Sequence, residues 1–366
     1  MKVGGVHYRT IWPAGDGASI HVIDQTRLPH EFSTLRLTRR SEVEHAIRSM
    51  QVRGAPLIGA AAAYGLCLEM IENPSDGALA AASASLRTTR PTAVDLGFAL
   101  DAMRAALEPF PPRERRERAW KRAGALADAS AAACRAIGEH GLALIEQACE
   151  RRPAGEPLNV LTHCNAGWLA TVDFGTALAP IYLAHDRGIP IHVWVSETRP
   201  RNQGASLTAW ELGQHGVPHT VVVDSASGHL AQSGRVQLVV TGTDRTTAHG
   251  DVCNKIGTYS KALAARDNGV PFWVAVPASS IDWSLRDGLG TIPIEERDPR
   301  EVTRIVGRDA TGRRLEVRLT PEKSPALNYA FDVTPARLVT GFITERGLCS
   351  ATAVGLARIH GRSHAD

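Results

Sequence analysis

From Leu158 to Val276 the chain alternates short aliphatic and β-branched runs with stretches whose apolar positions recur at helical spacing. Leu158 to Thr162, Ile191 to Val195, Thr220 to Val223, Leu238 to Val240 and Phe272 to Val276 predict buried strands. Leu169 to Ala184, Leu207 to Gln214 and Tyr259 to Asp267 predict helices, with Asn254 already opening the last of them. That alternation implies a parallel sheet covered on its faces. The N-terminal part has a different grammar. Ile20 to Ile23 and Ser33 to Leu37 flank a polar turn containing Pro29 and predict a hairpin. Ser41 then reads as a helix cap with Glu44 completing a capping box, and Pro56 stands at the start of a helix over Leu57 to Met70. Thr92 with Asp95 predicts the cap of the next helix, and a mixed-charge segment from Pro111 opens a pattern that Gly138 and Gly141 punctuate and that ends near Cys149. The segment Arg151 to Pro157, rich in Pro, Gly and charge, marks the boundary between two domains, 1–152 and 153–366. The fold class expected is α/β: a mostly helical N-terminal domain with a small antiparallel β element, then a parallel-sheet domain.

The polar residues that break this pattern sit where strands end. The ends carry His163-Cys164-Asn165, Ser196 to Gly204, Asp224, Asp244 and Pro277 to Ser280, and ligands of open parallel sheets bind in the crevice outside such ends. Asp244 is followed by a loop predicted to reach a helix N-terminus at Asn254 and Lys255, a setting that favours anions. An ordinary βα corner with Asp244 as a cap is the plainer alternative. Cys164, between a strand and a predicted helix start, is placed where thiolates are favoured, although a buried structural thiol fits the same pattern. Arg53, in Arg53-Gly54-Ala55-Pro56, and Arg90, held extended before Pro91, stand beside helix starts where a phosphate would gain both a helix field and a guanidinium fork; surface arginines would look the same. No metal-ligand spacing recurs, and no Gly-x-Gly-x-x-Gly follows a strand, which disfavours a dinucleotide dehydrogenase.

Composition narrows the class further. The 366 residues favour two domains, and 43% hydrophobic with 22% charged residues describes a globular enzyme-like chain. A net charge of +3 argues against a dedicated nucleic-acid binder. Six scattered cysteines without a Cys-x-x-Cys pair, and no apolar leader, predict reduced thiols and a cytoplasmic protein. The longest apolar run, Leu57 to Leu68, is expected to be too short to span a membrane.

Taken together, Arg53-Gly54-Ala55-Pro56, Arg90-Pro91-Thr92-Ala93-Val94, Thr162-His163-Cys164-Asn165, Glu197-Thr198-Arg199-Pro200, Gln203-Gly204-Ala205 with Leu207 to Leu212, Asp244-Arg245 and Asn254 to Tyr259 resemble the methylthioribose-1-phosphate isomerase family over nearly the whole chain. That family is similar to regulatory subunits of the eukaryotic initiation factor 2B exchange factor and to ribose-1,5-bisphosphate isomerases. The resemblance implies a Rossmann-like C-terminal domain, a homodimer, no cofactor, no metal and a place in methionine salvage. It puts the catalytic pair on Cys164 and Asp244 and a sugar-phosphate ligand set on Arg53, Gly54, Ala55, Arg90, Gln203, Asn254 and Lys255. No nucleic acid or membrane partner is implied. The segment Thr171 to Leu178, with Asp173 on the predicted helix after Cys164, departs from the family pattern, as do Thr243, His249 and Cys253.

The implied chemistry fits the pair. An aldose 1-phosphate is locked as an acetal, so its ring must open before the C2 hydrogen can move to C1. One group must protonate the ring oxygen and another must manage the proton inventory at C2. The sequence expectation is Cys164 as thiolate base and Asp244 as an acid with a raised pKa. Alternatives are 5-deoxyribose 1-phosphate or ribose 1,5-bisphosphate as substrate, or a non-catalytic, ligand-sensing relative of the exchange-factor subunits.

Overall fold

In the computed structural model, which describes residues 1–90, 93–153 and 155–362, the chain opens with two short strands, β1 (Lys2–Val3) and β2 (Val6–His7), then β3 (Ile11–Pro13), β4 (Ile20–Ile23) and β5 (Thr34–Leu37). Strands β3, β4 and β5 form one antiparallel sheet, so the expected hairpin gains a third strand. Helices α1 (Arg40–Arg48), α2 (Ala55–Glu72), α3 (Asp76–Arg87), α4 (Val94–Leu107) and α5 (Pro112–Glu150) follow. Gly138 and Gly141 do not interrupt α5; Cβ atoms there would press on Ala179 and Pro180, so the glycines let α5 lie close to its neighbour.

The caps differ from expectation. Helix α1 begins at Arg40, and Glu42, not Glu44, closes its start by accepting the Arg39 N–H at 3.0 Å and the Thr38 N–H at 2.6 Å. Glu44 pairs instead with Arg40 and Arg48 along the helix. Thr92 and its neighbour Pro91 lie outside the described residues, and Asp95 does not cap α4. Its buried carboxylate reaches across the molecule to the hydroxyls of Ser279 (2.6 Å) and Ser280 (2.7 Å). Helix α2, at 18 residues, is long and apolar enough by composition to cross a membrane, beyond the run expected; 78% of it is buried among the other helices, which makes it a core helix.

The second half of the chain continues with β6 (Leu158–Thr162), α6 (Ala179–Asp186), β7 (Ile191–Ser196), α7 (Ala209–His215), β8 (His219–Val222), α8 (Ala226–Gln232), β9 (Leu238–Thr241), β10 (Arg245–Thr247), β11 (Val252–Lys255), α9 (Thr258–Asp267), β12 (Phe272–Ala275), β13 (Ile281–Asp282), α10 (Arg300–Thr303), β14 (Arg304–Arg308), β15 (Arg314–Arg318), β16 (Phe331–Thr334), β17 (Gly341–Thr344), β18 (Gly347–Ser350) and α11 (Ala353–Ile359). A seven-stranded sheet runs in the order β18-β17-β12-β9-β6-β7-β8, parallel except for β18. From β6 the chain proceeds outward through β7 and β8, and from β9 it proceeds the other way through β12 and β17. The switch point of the sheet therefore lies between β6 and β9.

Two predicted helices are displaced. After Cys164 the chain makes only a 3₁₀ turn at Trp168–Ala170 and an irregular segment before α6, so Asp173 is not helical. Its carboxylate binds the α-ammonium of Met1 at 2.6 Å and the His7 ring at 2.9 Å. Asn254 and Lys255 lie on β11, not at a helix start. Strand β11 pairs antiparallel with β10 and β16, and α9 begins only at Thr258. The small sheet β13-β10-β11-β16 thus stands beyond the carboxyl end of β9 and forms a wall over the crevice.

Candidate active site

Cys164 and Asp244 follow the two central strands at the switch point, which brings them to one crevice although 80 positions separate them in sequence. Cys164 is held in a left-handed backbone conformation, φ 63°, rare for a residue with a Cβ. Both of its peptide groups are clamped: its N–H donates to Thr198 Oγ1 at 2.8 Å and its carbonyl accepts from Thr208 Oγ1 at 2.7 Å. Thr198 (66°), which accepts the Cys164 N–H, and Met50 (66°), which lines the cavity beside Cys164, share that strained region, as does Asn202 (56°) in the adjoining outer cleft.

The N-terminal helices supply the opposite wall. Gly54 has φ 99°, and a Cβ there would come within 2.4 Å of the Ala170 carbonyl oxygen, so only glycine lets the turn before α2 sit against the Cys164 loop. That contact aims Arg53 inward. Its guanidinium donates from Nη1 to Asn165 Oδ1 at 2.5 Å and from Nη2 to the Asn165 carbonyl at 2.8 Å. Asn165 in turn donates to Glu211 Oε1 at 2.7 Å. Glu211 is wholly buried and also takes the Trp168 N–H, the Leu169 N–H and the Tyr182 hydroxyl; burial lifts its carboxyl to about 7 against those four donors.

Two adjoining compartments, of about 630 and 410 Å³ with the space open to solvent included, are both lined by Arg53, Gly54, Ala55, Cys164 and Asp244. Arg90, Gln203 and Lys255 line the first and Asn254 the second, so every residue of the expected ligand set faces one cavity system. Gln203 is 4% exposed and its Oε1 has no protein partner. Lys255, buried, directs its Nζ over the Phe331 ring at 4.6 Å. Met50, Ile58, Ala93, Ile292, Pro293 and Phe331 give the first compartment an apolar side. Among the described residues no group of three or more His, Cys, Asp or Glu side chains is placed to hold a metal ion.

The electrostatics correct one expectation. Burial pushes the Cys164 thiol above its ordinary value, although Arg53 and Lys255 pull the other way, a direction that favours the thiol over the thiolate. The predicted helix start that would have favoured thiolate is absent. Burial raises Asp244 as well, as expected, with Lys255, Arg90 and Arg53 opposing the shift. Lys255 is lowered by burial. Sequence reasoning missed Glu295, whose Oε2 lies 3.2 Å from Arg90 Nη2, and the buried His163, whose Nε2 donates to the Ile256 carbonyl at 2.8 Å. His163 was visible only as a neighbour of Cys164. Glu295 lies in a loop without periodicity, and nothing in the sequence signalled it.

A Rossmann-like enzyme with a thiol and a carboxylate at the switch point, facing cations carried by a helical cap, is the class that this geometry defines. The Initiation factor 2 subunit family model matches residues 51–351. The methylthioribose-1-phosphate isomerase of Rhodospirillum rubrum is 62% identical over 98% of this chain and 93% of its own, and that of Rhodospirillum centenum is 61% identical over 98% and 95%. Among solved structures, 5-methylthioribose 1-phosphate isomerase from Pyrococcus horikoshii superimposes with a TM-score of 0.82 at 37% identity, covering 97% of this chain and 96% of that one. A chain from A. fulgidus described as translation initiation factor eIF-2B, subunit delta, superimposes at 0.78 with 35% identity over 96% and 99%. The chain belongs to the Initiation factor 2 subunit family and, within it, to the methylthioribose-1-phosphate isomerases, a family of enzymes.

Proposed function

We propose that the chain converts 5-methylthioribose 1-phosphate into 5-methylthioribulose 1-phosphate, with Cys164 and Asp244 as the acid–base pair. The observation that carries this reading is the convergence of the two residues on one cavity that Arg53, Arg90 and Lys255 make electropositive. Whether the C2 hydrogen crosses as a proton or as a hydride, the net change is the same: the ring oxygen gains a proton and the 2-hydroxyl loses one. A Cys164 that keeps its proton is suited to the first task. Asp244 starts from 3.8 against 9.0 for the thiol and has three cations favouring its charged form, so it is the proton acceptor of the pair. This reverses the roles expected from sequence. Arg53 and Arg90 hold the phosphate, and Gln203, Asn254 and Lys255 hold phosphate or sugar hydroxyls, with the backbone of Gly54 and Ala55 close to the anion.

A ligand-sensing role would need no thiol held in a strained turn beside a carboxylate, so the enzyme reading is preferred. Methionine salvage, a homodimer and a cytoplasmic location belong to the same reading through the family resemblance. Incubating the purified chain with methylthioribose 1-phosphate in buffer without nucleotide, and following the ketose carbonyl by carbon NMR, tests it. Accumulation of the 1-phosphoketose is expected; no turnover overturns the assignment.

A further inference from the structure

Arg90 is the one member of a longer charge chain that reaches the first compartment. Its Nη2 lies 3.2 Å from Glu295 Oε2, and Glu295 Oε1 accepts from Arg297 Nη1 at 2.8 Å. Arg297 Nη2 continues to Glu301 Oε1 at 3.0 Å, and Glu301 also takes Arg201 at 2.7 Å and Asn328 Nδ2 at 2.8 Å. Signs alternate along Arg90, Glu295, Arg297, Glu301 and Arg201, and both carboxylates have more than one donor. The contact at Arg90 is the longest of those ion pairs, and its arginine is the one that lines the compartment holding Cys164 and Asp244.

Glu295 is held in place by its backbone. Its carbonyl accepts the Ala330 N–H at 2.9 Å, Glu296 bridges Tyr329, and the Arg297 N–H donates to Asn328 at 2.9 Å. The segment is therefore fastened to the run leading into Phe331, whose ring faces Lys255. Just before it, Ile292 and Pro293 form part of the apolar side of the compartment. An arginine 12% exposed and without a partner would be costly; the Glu295 carboxylate removes that cost. When a phosphate takes the guanidinium, Glu295 still has Arg297, so no buried charge is left alone.

We infer that Glu295 is an internal stand-in for the substrate's phosphate: it pairs with Arg90, and phosphate binds by displacing it. This rests on the proposed reading of Arg90 as a phosphate ligand. Glu295 is a positioning residue that acts through Arg90, and it sets the affinity of the site below what its cations alone would give. The direction of the effect is unusual, because a residue that merely braces the site weakens binding when it is replaced.

The test is Glu295→Gln, measured as the KM for methylthioribose 1-phosphate and as the inhibition constant of inorganic phosphate. Both are expected to fall roughly 3- to 10-fold, the scale of removing one partly exposed charge contact. In an Arg90→Ala background the same replacement should leave both constants within about twofold. Weaker or unchanged phosphate binding in Glu295→Gln overturns the inference and assigns Glu295 a bracing role. If Arg90→Ala alone leaves phosphate inhibition unchanged, the phosphate assignment of Arg90 fails and the inference falls with it, a result distinguishable from the first. Thermal melts accompany each variant. Should Glu295→Gln not fold, Glu295→Asp, which keeps the charge but draws it back from Arg90, carries the test with the same expected direction.

Discussion

The Asn165 carboxamide receives the Arg53 guanidinium at 2.5 Å and passes its own N–H to Glu211, so the residue after Cys164 fixes an arginine from the opposite wall. Replacing Asn165 with Ala removes an acceptor of a charged donor, worth about 1.5–3 kcal/mol, and frees Arg53 to turn away. A fall in kcat/KM of roughly 10-fold or more is expected, carried mostly by KM. An unchanged KM in Asn165→Ala would show that Arg53 needs no such support.

Cys164→Ser and Asp244→Asn preserve shape while removing the thiol and the carboxylate that the proposed function makes proton donor and acceptor. Each is expected to lower kcat by at least about 100-fold, the lower end of what general acid–base catalysis contributes. Melting temperatures should stay near that of the unsubstituted protein, because neither change removes buried apolar volume. Steady-state rates beside thermal melts check it, and a near-normal rate in either variant removes that residue from the chemistry.

A raised thiol makes the free site slow to alkylate. The rate of iodoacetamide labelling at Cys164, followed by peptide mass spectrometry, is expected to keep rising as pH passes 9.0, the ordinary thiol value. Inorganic phosphate should protect the residue. A labelling rate already at its plateau at neutral pH would restore the thiolate that the sequence suggested.

The parts legible in the sequence were those with strong periodicity. Strands β6, β7, β9 and β12 follow their aliphatic runs closely, and the polar residues at their ends converge as open parallel sheets require. Asn254 and Lys255 were misplaced on a helix because β11 is buried along its whole length and so shows no alternation, and its partner β10 has only three residues. The apolar content of the turn after Cys164 predicts helix there. What prevents one is the clamped, left-handed Cys164 and the close approach of Gly167 to Glu211, where a Cβ would lie 1.9 Å from Oε2. The elements after Ala275 were not among those predicted, and Glu295 with them. Ion pairs between distant loops leave no periodic trace.

His163 gives a stability prediction with a definite sign. Burial and the nearby Lys261 lower its imidazole from 6.5 to about 3, so the folded protein holds it neutral while the unfolded chain protonates it. Its contribution is fully present above 6.5 and is lost as pH falls toward 3, at about 1.4 kcal/mol per pH unit within that window. Glu211, raised to about 7, acts in the opposite sense over part of the same range, so the comparison is between the protein and its His163→Gln variant. On going from pH 7.5 to 5.5 the urea midpoint should fall further, or rise less, in the unsubstituted protein than in His163→Gln; the same signed change in both would mean that His163 carries its proton in the fold.

The tail of the substrate is set by what the cavity lacks as much as by what lines it. A 5-methylthio or 5-methyl group is apolar and would be matched by Met50, Ile58, Ile292, Pro293 and Phe331, which give the first compartment its apolar wall. A 5-phosphate would need a further cation beyond Arg53, Arg90 and Lys255. Those nearby are engaged: Arg199 donates to the Val302 carbonyl at 2.8 Å, Arg201 binds Glu301 at 2.7 Å, and Arg245 lies 3.5 Å from Asp282. Recruiting one would break an existing pair, and leaving the phosphate without a partner in the pocket would cost more. Losing the thioether costs only about 1–3 kcal/mol in an apolar pocket, so 5-deoxyribose 1-phosphate should still turn over. The expected order of kcat/KM is methylthioribose 1-phosphate first, 5-deoxyribose 1-phosphate lower by roughly 10- to 200-fold, and ribose 1,5-bisphosphate last. A side-by-side comparison with the bisphosphate in first place would mean that one of these arginines leaves its partner for the second phosphate, and Arg201→Ala, whose side chain reaches the outer cleft beside Gln203, would then be the variant that loses it.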